Sequence, residues 1–419
     1  MLARVAFWGT RSGTRLPGAD SASSLCVYSS CFGVLDSEAL DTGPSLSLTC
    51  KTLNGIVQPL LAETVVLRGG SRIARFRKRV VQAKGVEGHN VRELCVVYAE
   101  PTGESWRCSR LGEVYSDLRC IVKCCVELDT LNMCSFMKVM SDETRSHFRD
   151  ECSRFWDDVP TTVRTIGIGS TQLFPFASPS DPLLSKFLES HTELEHWCVE
   201  RVTEDVSRST FELALQASKT IEFGVIVSSG ACSKASLRTA ESVHVHAQSK
   251  ETFWRIRMPQ AKDVRVFYPP SRREIEWMLQ HTPVLQTLRH GLDIRSQPTS
   301  LWAIGSRSTS LQQLTVSLDP QTVEGLELTH PLDESDLPAW AVQDSTSSVL
   351  HETVHTRRLH LKTMFDALGS KENYPKLKKV RVCCSFPYAK HRDFVKAQVA
   401  LLLGGPLAAA SIELEVVSW

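Results

Sequence analysis

One short pattern recurs from Val91 to the end of the chain: an apolar strand, a loop, an amphipathic helix and a turn into the next strand. A unit of this kind cannot bury its apolar face alone, whereas stacked units bury a continuous core and leave one strand face for partners. The clearest units place two apolar residues three positions apart where the chain turns into the strand, at 126–133, 191–197, 281–288, 311–316 and 374–382. The repeat therefore predicts an α/β array of strand–helix units.

Short runs of β-branched and apolar residues predict further strands at 163–168, 220–227, 242–246, 264–268, 358–361 and 412–417. The intervals between strands run from about twenty to about thirty-five residues, and leucine-rich repeats fall at the short end of that range. The fold class that we expect is an irregular leucine-rich-repeat-like solenoid over 90–419, with a loop insertion near 329–351. An ordinary α/β domain of alternating strands and helices is the alternative.

Composition narrows the classes of function. The 419 residues carry a formal net charge of +1, which argues against a general binder of nucleic acid or anionic membranes. No apolar run approaches the roughly eighteen residues that a membrane helix needs. Many of the 14 cysteines lie in apolar elements of a long chain without an evident signal peptide, which favours reduced, buried thiols. We therefore expect a cytoplasmic and/or nuclear protein without a cofactor.

Residues 44–67 predict a helix, a kink and a strand. Apolar residues at spacings of 4, 3, 4 and 3 form one helical stripe, which consists of Leu46, Cys50, Leu53, Val57 and Leu60. Pro59 breaks or restarts this helix because proline lacks the N–H donor and clashes with the preceding turn. The β-branched run at 64–67 then predicts a short strand that ends at a Gly-Gly pair.

The same stretch reads L-x-L-T-C-K-x-L-N, then apolar residues, P-L-L and T-V-V-L. It resembles the C-terminal half of the F-box in fungal F-box proteins, here followed by a leucine-rich-repeat-like region. The resemblance implies docking to the adaptor subunit of a cullin–RING ubiquitin ligase through Leu46, Leu48, Cys50, Leu53, Ile56, Val57, Leu60 and Leu61. Leu16-Pro17 matches the expected start of an F-box, but residues 18–21 do not continue the pattern, so we expect a partial domain.

The chain thus divides into four parts. Residues 1–43 form a disordered or atypical tail, whose arginines also fit a mitochondrial transit peptide. Residues 44–67 are the partial F-box-like segment, 68–89 are a basic linker, and 90–419 are the repeat array. The linker fits either a nuclear-import or phosphate-contacting patch or a solvated helix face with its apolar residues turned inward.

Residues 351–355 match H-E-x-x-H, a zinc-peptidase motif. A zinc hydrolase would use His351 and His355 as ligands and Glu352 as the general base. The context argues against it, because the residues that follow lead into a predicted strand and His360 lies one position short of a third ligand. We expect no metal site and no catalysis, and a zinc metallohydrolase is a remote alternative.

Two smaller clusters are assigned structural or surface roles. His244 and His246 alternate on a predicted strand, which places both on one sheet face as a surface or partner-facing pair. Cys120 and Cys124 lie four positions apart without C-x-x-C spacing, so buried packing is their expected role.

The expected function is a non-enzymatic substrate-recognition adaptor of an F-box-type cullin–RING ubiquitin ligase. Its expected partners are the ligase adaptor subunit and an unidentified protein substrate held by the repeat array, whereas membranes and nucleic acid are not expected. The alternative is a leucine-rich-repeat-like interaction scaffold without ligase association.

Overall fold

In the computed structural model of this chain, the described residues form one parallel sheet of twelve short strands, and neighbours in the sheet follow one another in the order of the chain. The structure describes residues 63–82, 86–98, 108–133, 153–169, 182–202, 208–216, 218–226, 235–248, 256–268, 270, 272–292, 308–318, 368–384, 400 and 404–418. Helices alternate with the strands, so the fold is α/β, and the order of the strands is consistent with a repeat solenoid or a barrel.

The strands are β1 (Thr64–Arg68), β2 (Glu93–Val97), β3 (Thr130–Met133), β4 (Thr165–Ile168), β5 (His196–Val202), β6 (Thr220–Ile226), β7 (Ser242–Gln248), β8 (Asp263–Val266), β9 (Thr287–Leu292), β10 (Gln313–Leu318), β11 (Lys379–Cys384) and β12 (Glu413–Ser418). The helices are α1 (Gly70–Gln82), α2 (Val86–His89), α3 (Cys108–Cys124), α4 (Pro182–Ser190), α5 (Arg208–Leu215) and α6 (Arg272–His281). Residues 153–157 and 404–409 are also helical. The strands predicted at 163–168, 220–227, 242–246, 264–268 and 412–417 are confirmed as β4, β6, β7, β8 and β12.

Two apolar residues three positions apart anchor most units in the core. The second residue of the strand is buried at Leu94, Leu131, Ile166, Trp197, Ile221, Val243, Val264, Leu288, Leu314 and Val380. The residue three positions earlier is buried at Val91, Leu128, Val163, Leu194, Leu285, Leu311 and Leu377. Because the strands pair in register, these side chains stack into continuous apolar rows that share one core with the helices.

The residue that precedes each strand forms a second regular column. Along this column, the backbone N–H of one residue donates to the carbonyl of its counterpart in the preceding unit. From β2 to β8 the side chains in the column alternate in sign: Arg92, Asp129, Arg164, Glu195, Lys219, Glu241 and Lys262. Within this series each charge therefore has only opposite charges as neighbours, which favours the native register of the strands over a shifted one.

The sheet begins earlier than the boundary at residue 90 that the sequence suggests. The strand predicted at 64–67 is confirmed as β1, and it ends at Gly69, whose φ of 76° suits glycine. The residues expected to be a basic linker contain α1 and α2. In α1, Ile73 and Val80 are buried and Phe76 packs against the core, which confirms the solvated-helix interpretation. Since β1 pairs with β2, this segment belongs to the first unit of the sheet.

Other predictions fall outside the described residues. They are the tail at 1–43, the F-box-like helix up to residue 62, the insertion near 329–351 and the strand at 358–361. None of the described helices is both long enough and apolar enough to cross a membrane.

Candidate functional site

One face of the sheet carries a polar side chain at the first position of every described strand. Side chains alternate along a strand, so the first and third residues of each strand point away from the apolar second position. We call this side of the sheet the polar face. All twelve first positions are polar, and they are Thr64, Glu93, Thr130, Thr165, His196, Thr220, Ser242, Asp263, Thr287, Gln313, Lys379 and Glu413. This face is therefore built to meet water or a partner rather than the core.

In the middle of the polar face, Glu222 on β6 lies between two histidines. Its Oε1 accepts a hydrogen bond from Nε2 of His246 on β7, and its Oε2 lies 3.5 Å from Nε2 of His196 on β5. The side chains of Glu222 and His246 are only 3% and 1% exposed. A buried carboxylate is tolerated only when it is paired or hydrogen-bonded, so this contact ties β6 and β7 together.

His196 is neutral at pH 7. Burial, reinforced by the neighbouring His244, lowers the pKa of His196 to about 4. Its contact with Glu222 is therefore a contact between a carboxylate and a neutral imidazole, not an ion pair.

A second polar group adjoins the first on β7 and β8. The Oγ of Ser242 lies 3.0 Å from Nε2 of His244 and donates to Oδ2 of Asp263 over 3.2 Å. Nε of Arg265 donates to the same carboxylate over 2.8 Å. Burial acts to raise the pKa of Asp263, but the hydrogen bonds from His244 and Ser242 and the charge of Arg265 outweigh it, so the pKa is lowered. Asp263 thus stays ionised and fixes the guanidinium of Arg265.

Phe267, just after β8, connects this network to an arginine. Its ring stacks on His246, with centroids 4.3 Å apart and planes 7° from parallel. The guanidinium carbon of Arg289 lies 5.4 Å from the ring centroid, within cation–π range. Phe267 and Arg289 are both half-buried, so they are part of the accessible surface. Aromatic residues and arginine are the types that contribute most at protein interfaces.

The Glu222–His246 pair at the centre of this cluster is almost closed off from solvent. Among the described residues, no group of His, Cys, Asp and Glu is arranged to hold a metal ion. Away from the polar face, a cavity of about 90 Å³ is lined by residues that include Trp156, Phe187 and His191. Pockets for small molecules are usually about 300–1,000 Å³, so this cavity does not suggest such a ligand.

The structure changes the interpretation of the two histidines singled out from the sequence. His244 and His246 do lie on one face, as predicted, but the surface role is wrong for His246, which is buried against Glu222. The sequence interpretation missed Glu222 and His196. Aligning the strands on their buried second residue would have placed both on the same face as the histidine pair.

The cysteines whose side chains the structure describes are free, and they are Cys95, Cys120, Cys124, Cys125, Cys198 and Cys383. Cys120 and Cys124, which were expected to be buried, are half-buried on α3. Burial, with a smaller effect of Cys124, raises the pKa of Cys125 to about 12, which leaves its thiol protonated and unreactive.

The remaining candidate residues lie outside the described part of the chain. They are the eight F-box-like residues between Leu46 and Leu61 and the His351, Glu352 and His355 motif. Comparison with known protein families finds no match to this chain. Comparison with curated proteins finds no match either.

Proposed function

We propose that this chain is an irregular leucine-rich-repeat-like solenoid that binds a protein partner through its polar face and catalyses no reaction itself. The observation that carries the proposal is the unbroken row of polar first positions on twelve strands that follow one another in chain order. Stacked strand–helix units of this kind curve gently and present an extended surface, which suits a protein partner better than a small molecule.

The centre of the binding surface is the group formed by His244, Phe267 and Arg289. Phe267 is held by His246 beneath it, and His246 is held by Glu222. A rigid aromatic group loses little conformational entropy when it meets a partner, so the buried network favours binding without taking part in it. This accounts for the burial of the Glu222–His246 pair in a protein without catalytic activity.

Affinity purification from cell extracts tests this proposal. The double variant His244→Ala and Phe267→Ala removes two side chains of the polar face. The matched control, Arg273→Ala with Val284→Ala, removes one charged and one apolar side chain that are exposed elsewhere in the neighbouring units. We expect the first variant, but not the control, to lose specific partners at unchanged thermal stability. If both variants retain the same partners, binding through the polar face is refuted.

We also propose that the partner is a substrate of a cullin–RING ubiquitin ligase and that the chain acts in the cytoplasm or nucleus. The resemblance of residues 44–67 to the second half of a fungal F-box supports this proposal. Co-purification with the ligase adaptor subunit, lost in Leu53→Asp with Ile56→Asp and kept in the His244→Ala and Phe267→Ala variant, is the expected result. If the wild-type chain never binds the adaptor subunit, the plain scaffold is the better description.

Metal analysis of the purified protein tests the remote alternative of a zinc hydrolase. We expect no stoichiometric zinc, because the sequence around His351, Glu352 and His355 favours a strand rather than the helix that zinc ligation needs. One zinc ion per chain, lost in His351→Ala, would contradict the non-enzymatic proposal.

A further inference from the structure

Charge is distributed unevenly along the polar face. In the first and third positions of β2 to β6 there are two carboxylates, Glu93 and Glu222, and no lysine or arginine. In the same positions of β8 to β11 there are four cations, Arg265, Arg289, Lys379 and Arg381, and one carboxylate, Asp263. The β8–β11 part of the face therefore carries a net charge of +3, and at its edge Lys379 and Arg381 pair with Glu413 and Glu415 on β12.

The cations on β8 and β11 are paired with carboxylates but remain partly exposed to solvent. Arg265 is bound to Asp263 and is still 44% exposed. Arg381 donates to Glu415 on β12 from Nε over 2.9 Å, and its side chain is 38% exposed. Lys379 lies 2.7 Å from the same carboxylate of Glu415. These contacts fix the directions of the cationic groups before a partner arrives, which lowers the entropy cost of binding.

Between these cations, the polar face of β9 and β10 carries small or uncharged side chains and a single arginine. Thr315 is only 6% exposed, and Thr287 and Gln313 flank it on the polar face. Arg289 is this arginine, and it lies beside Phe267. The β8–β11 surface thus has small polar side chains in the middle and guanidinium groups on both sides.

The spacing of the arginines matches an extended polypeptide. Arg265, Arg289 and Arg381 occupy the same position on β8, β9 and β11, so with strands about 4.8 Å apart their backbones lie at about 0, 5 and 14 Å across the sheet. Side chains on one side of an extended segment repeat about every 7 Å. Three alternate side chains of a segment that crosses the strands therefore reach the three guanidinium groups.

We propose that the β8–β11 part of the polar face binds an acidic, extended segment of the protein partner. Carboxylates are the favoured counter-groups, because Arg265 and Arg381 already bind carboxylates here. A nucleic acid is the alternative anionic ligand, and the test below includes it. This inference rests on the proposed partner-binding function and adds the chemistry of the partner.

Fluorescence anisotropy with the full-length protein tests the inference. The probe is a labelled twelve-residue peptide of alternating glutamate and serine, and the comparison probe has lysine in place of glutamate. We expect the wild-type protein to bind the glutamate peptide only, and the affinity to fall as NaCl is raised. The Arg265→Gln and Arg289→Gln double variant is expected to bind roughly tenfold more weakly. The control Arg273→Gln, on the exposed face of α6, is expected to bind normally.

Three results would overturn the inference. The first is no binding of the glutamate peptide, or equal binding of the lysine peptide. The second is tighter binding of a twelve-nucleotide single-stranded RNA, which would assign the surface to nucleic acid. The third is binding that emerges only when the chain's own acids between 319 and 344 are changed to their amides. That stretch has seven acids and no lysine or arginine, and this result would make it the occupant instead.

Failure of the inference is distinguishable from failure of the proposed function. A partner that is lost in His244→Ala with Phe267→Ala but kept in Arg265→Gln with Arg289→Gln would show that the polar face binds without an acidic segment. Loss of no partner in either variant would refute binding through the polar face altogether.

Discussion

Replacing Glu222 with leucine removes the carboxylate from the middle of the polar face and leaves the imidazole of His246 buried without it. Replacing His246 with phenylalanine does the reverse: it keeps a ring to stack on Phe267 but leaves a carboxylate that is 3% exposed. Each single substitution therefore strands one polar group in an environment of low polarity. The double substitution removes both groups and fills the space with apolar atoms.

The magnitudes follow from the burial of the pair. Breaking a buried pair of this kind by removing one side chain costs about 3–5 kcal/mol, whereas replacing both by apolar residues of similar size is often close to neutral. We expect each single variant to lose about 3–5 kcal/mol of unfolding free energy and the double variant to lose less than either. The coupling energy between Glu222 and His246 is then at least about 3 kcal/mol, far above the few tenths expected of independent sites.

Urea unfolding of the four proteins, followed by circular dichroism, measures this coupling. A matched cycle on Lys262 and Glu241 is the control, because this ion pair of 2.9 Å spans neighbouring units in the same way but is exposed. We expect the control cycle to be additive within error. If the Glu222 and His246 substitutions are also additive, the carboxylate–imidazole contact does not hold these strands together, and the argument for a preorganised Phe267 fails.

Three further predictions concern the rest of the sheet. Burial lowers the pKa of His290 from 6.5 to about 4, so between these values only the unfolded chain takes up the proton and stability falls as the pH falls. At pH 5 the loss relative to pH 7 is about 2 kcal/mol, measured as the difference between wild type and His290→Phe in urea unfolding. Gly88→Ala is expected to cost about 1–3 kcal/mol in thermal unfolding, because its Cβ would lie 2.5 Å from a backbone carbonyl of α3. Lys262→Glu is expected to destabilise the protein at low salt by repelling Glu241, and added NaCl is expected to reduce the loss.

Each of these has a control. Gly70→Ala should be tolerated, because a Cβ there meets only ordinary contacts at 3.6 Å or more. Equal losses for Gly70→Ala and Gly88→Ala would contradict the packing argument. An unchanged pH dependence in His290→Phe would show that the pKa of this histidine does not differ between the folded and the unfolded chain. A loss in Lys262→Glu that does not change with salt would point to packing instead of charge.

Local patterns were enough to predict much of the fold. Leu128 with Leu131 and Leu285 with Leu288 mark the turn and the strand of their units, because burying one face of a short strand needs apolar residues at this spacing. The same reasoning identified the inward face of α1. The sequence reasoning placed the start of the array too late, at residue 90. The composition of the strand at 64–67 and of the basic helix α1 does not show that they belong to the sheet.

The candidate site could not be predicted in the same way. His244 and His246 were visible as an alternating pair, but their partners Glu222 and His196 lie 22 and more residues away on other strands. Which residue faces which is set by the register between strands, a property of the assembled sheet. The row of Arg265, Arg289 and Arg381 has the same origin, because arginine is common on any surface and only the register makes these three neighbours.

The sequence by itself determined that this chain forms strand–helix units, because apolar periodicity acts over a few residues and needs no knowledge of the whole. Only the tertiary structure decided that all twelve strands join one sheet in chain order, that Glu222 and His246 are buried together, and that the cations collect on β8 to β11. These depend on register and burial, which arise when distant segments pack and which no local pattern encodes.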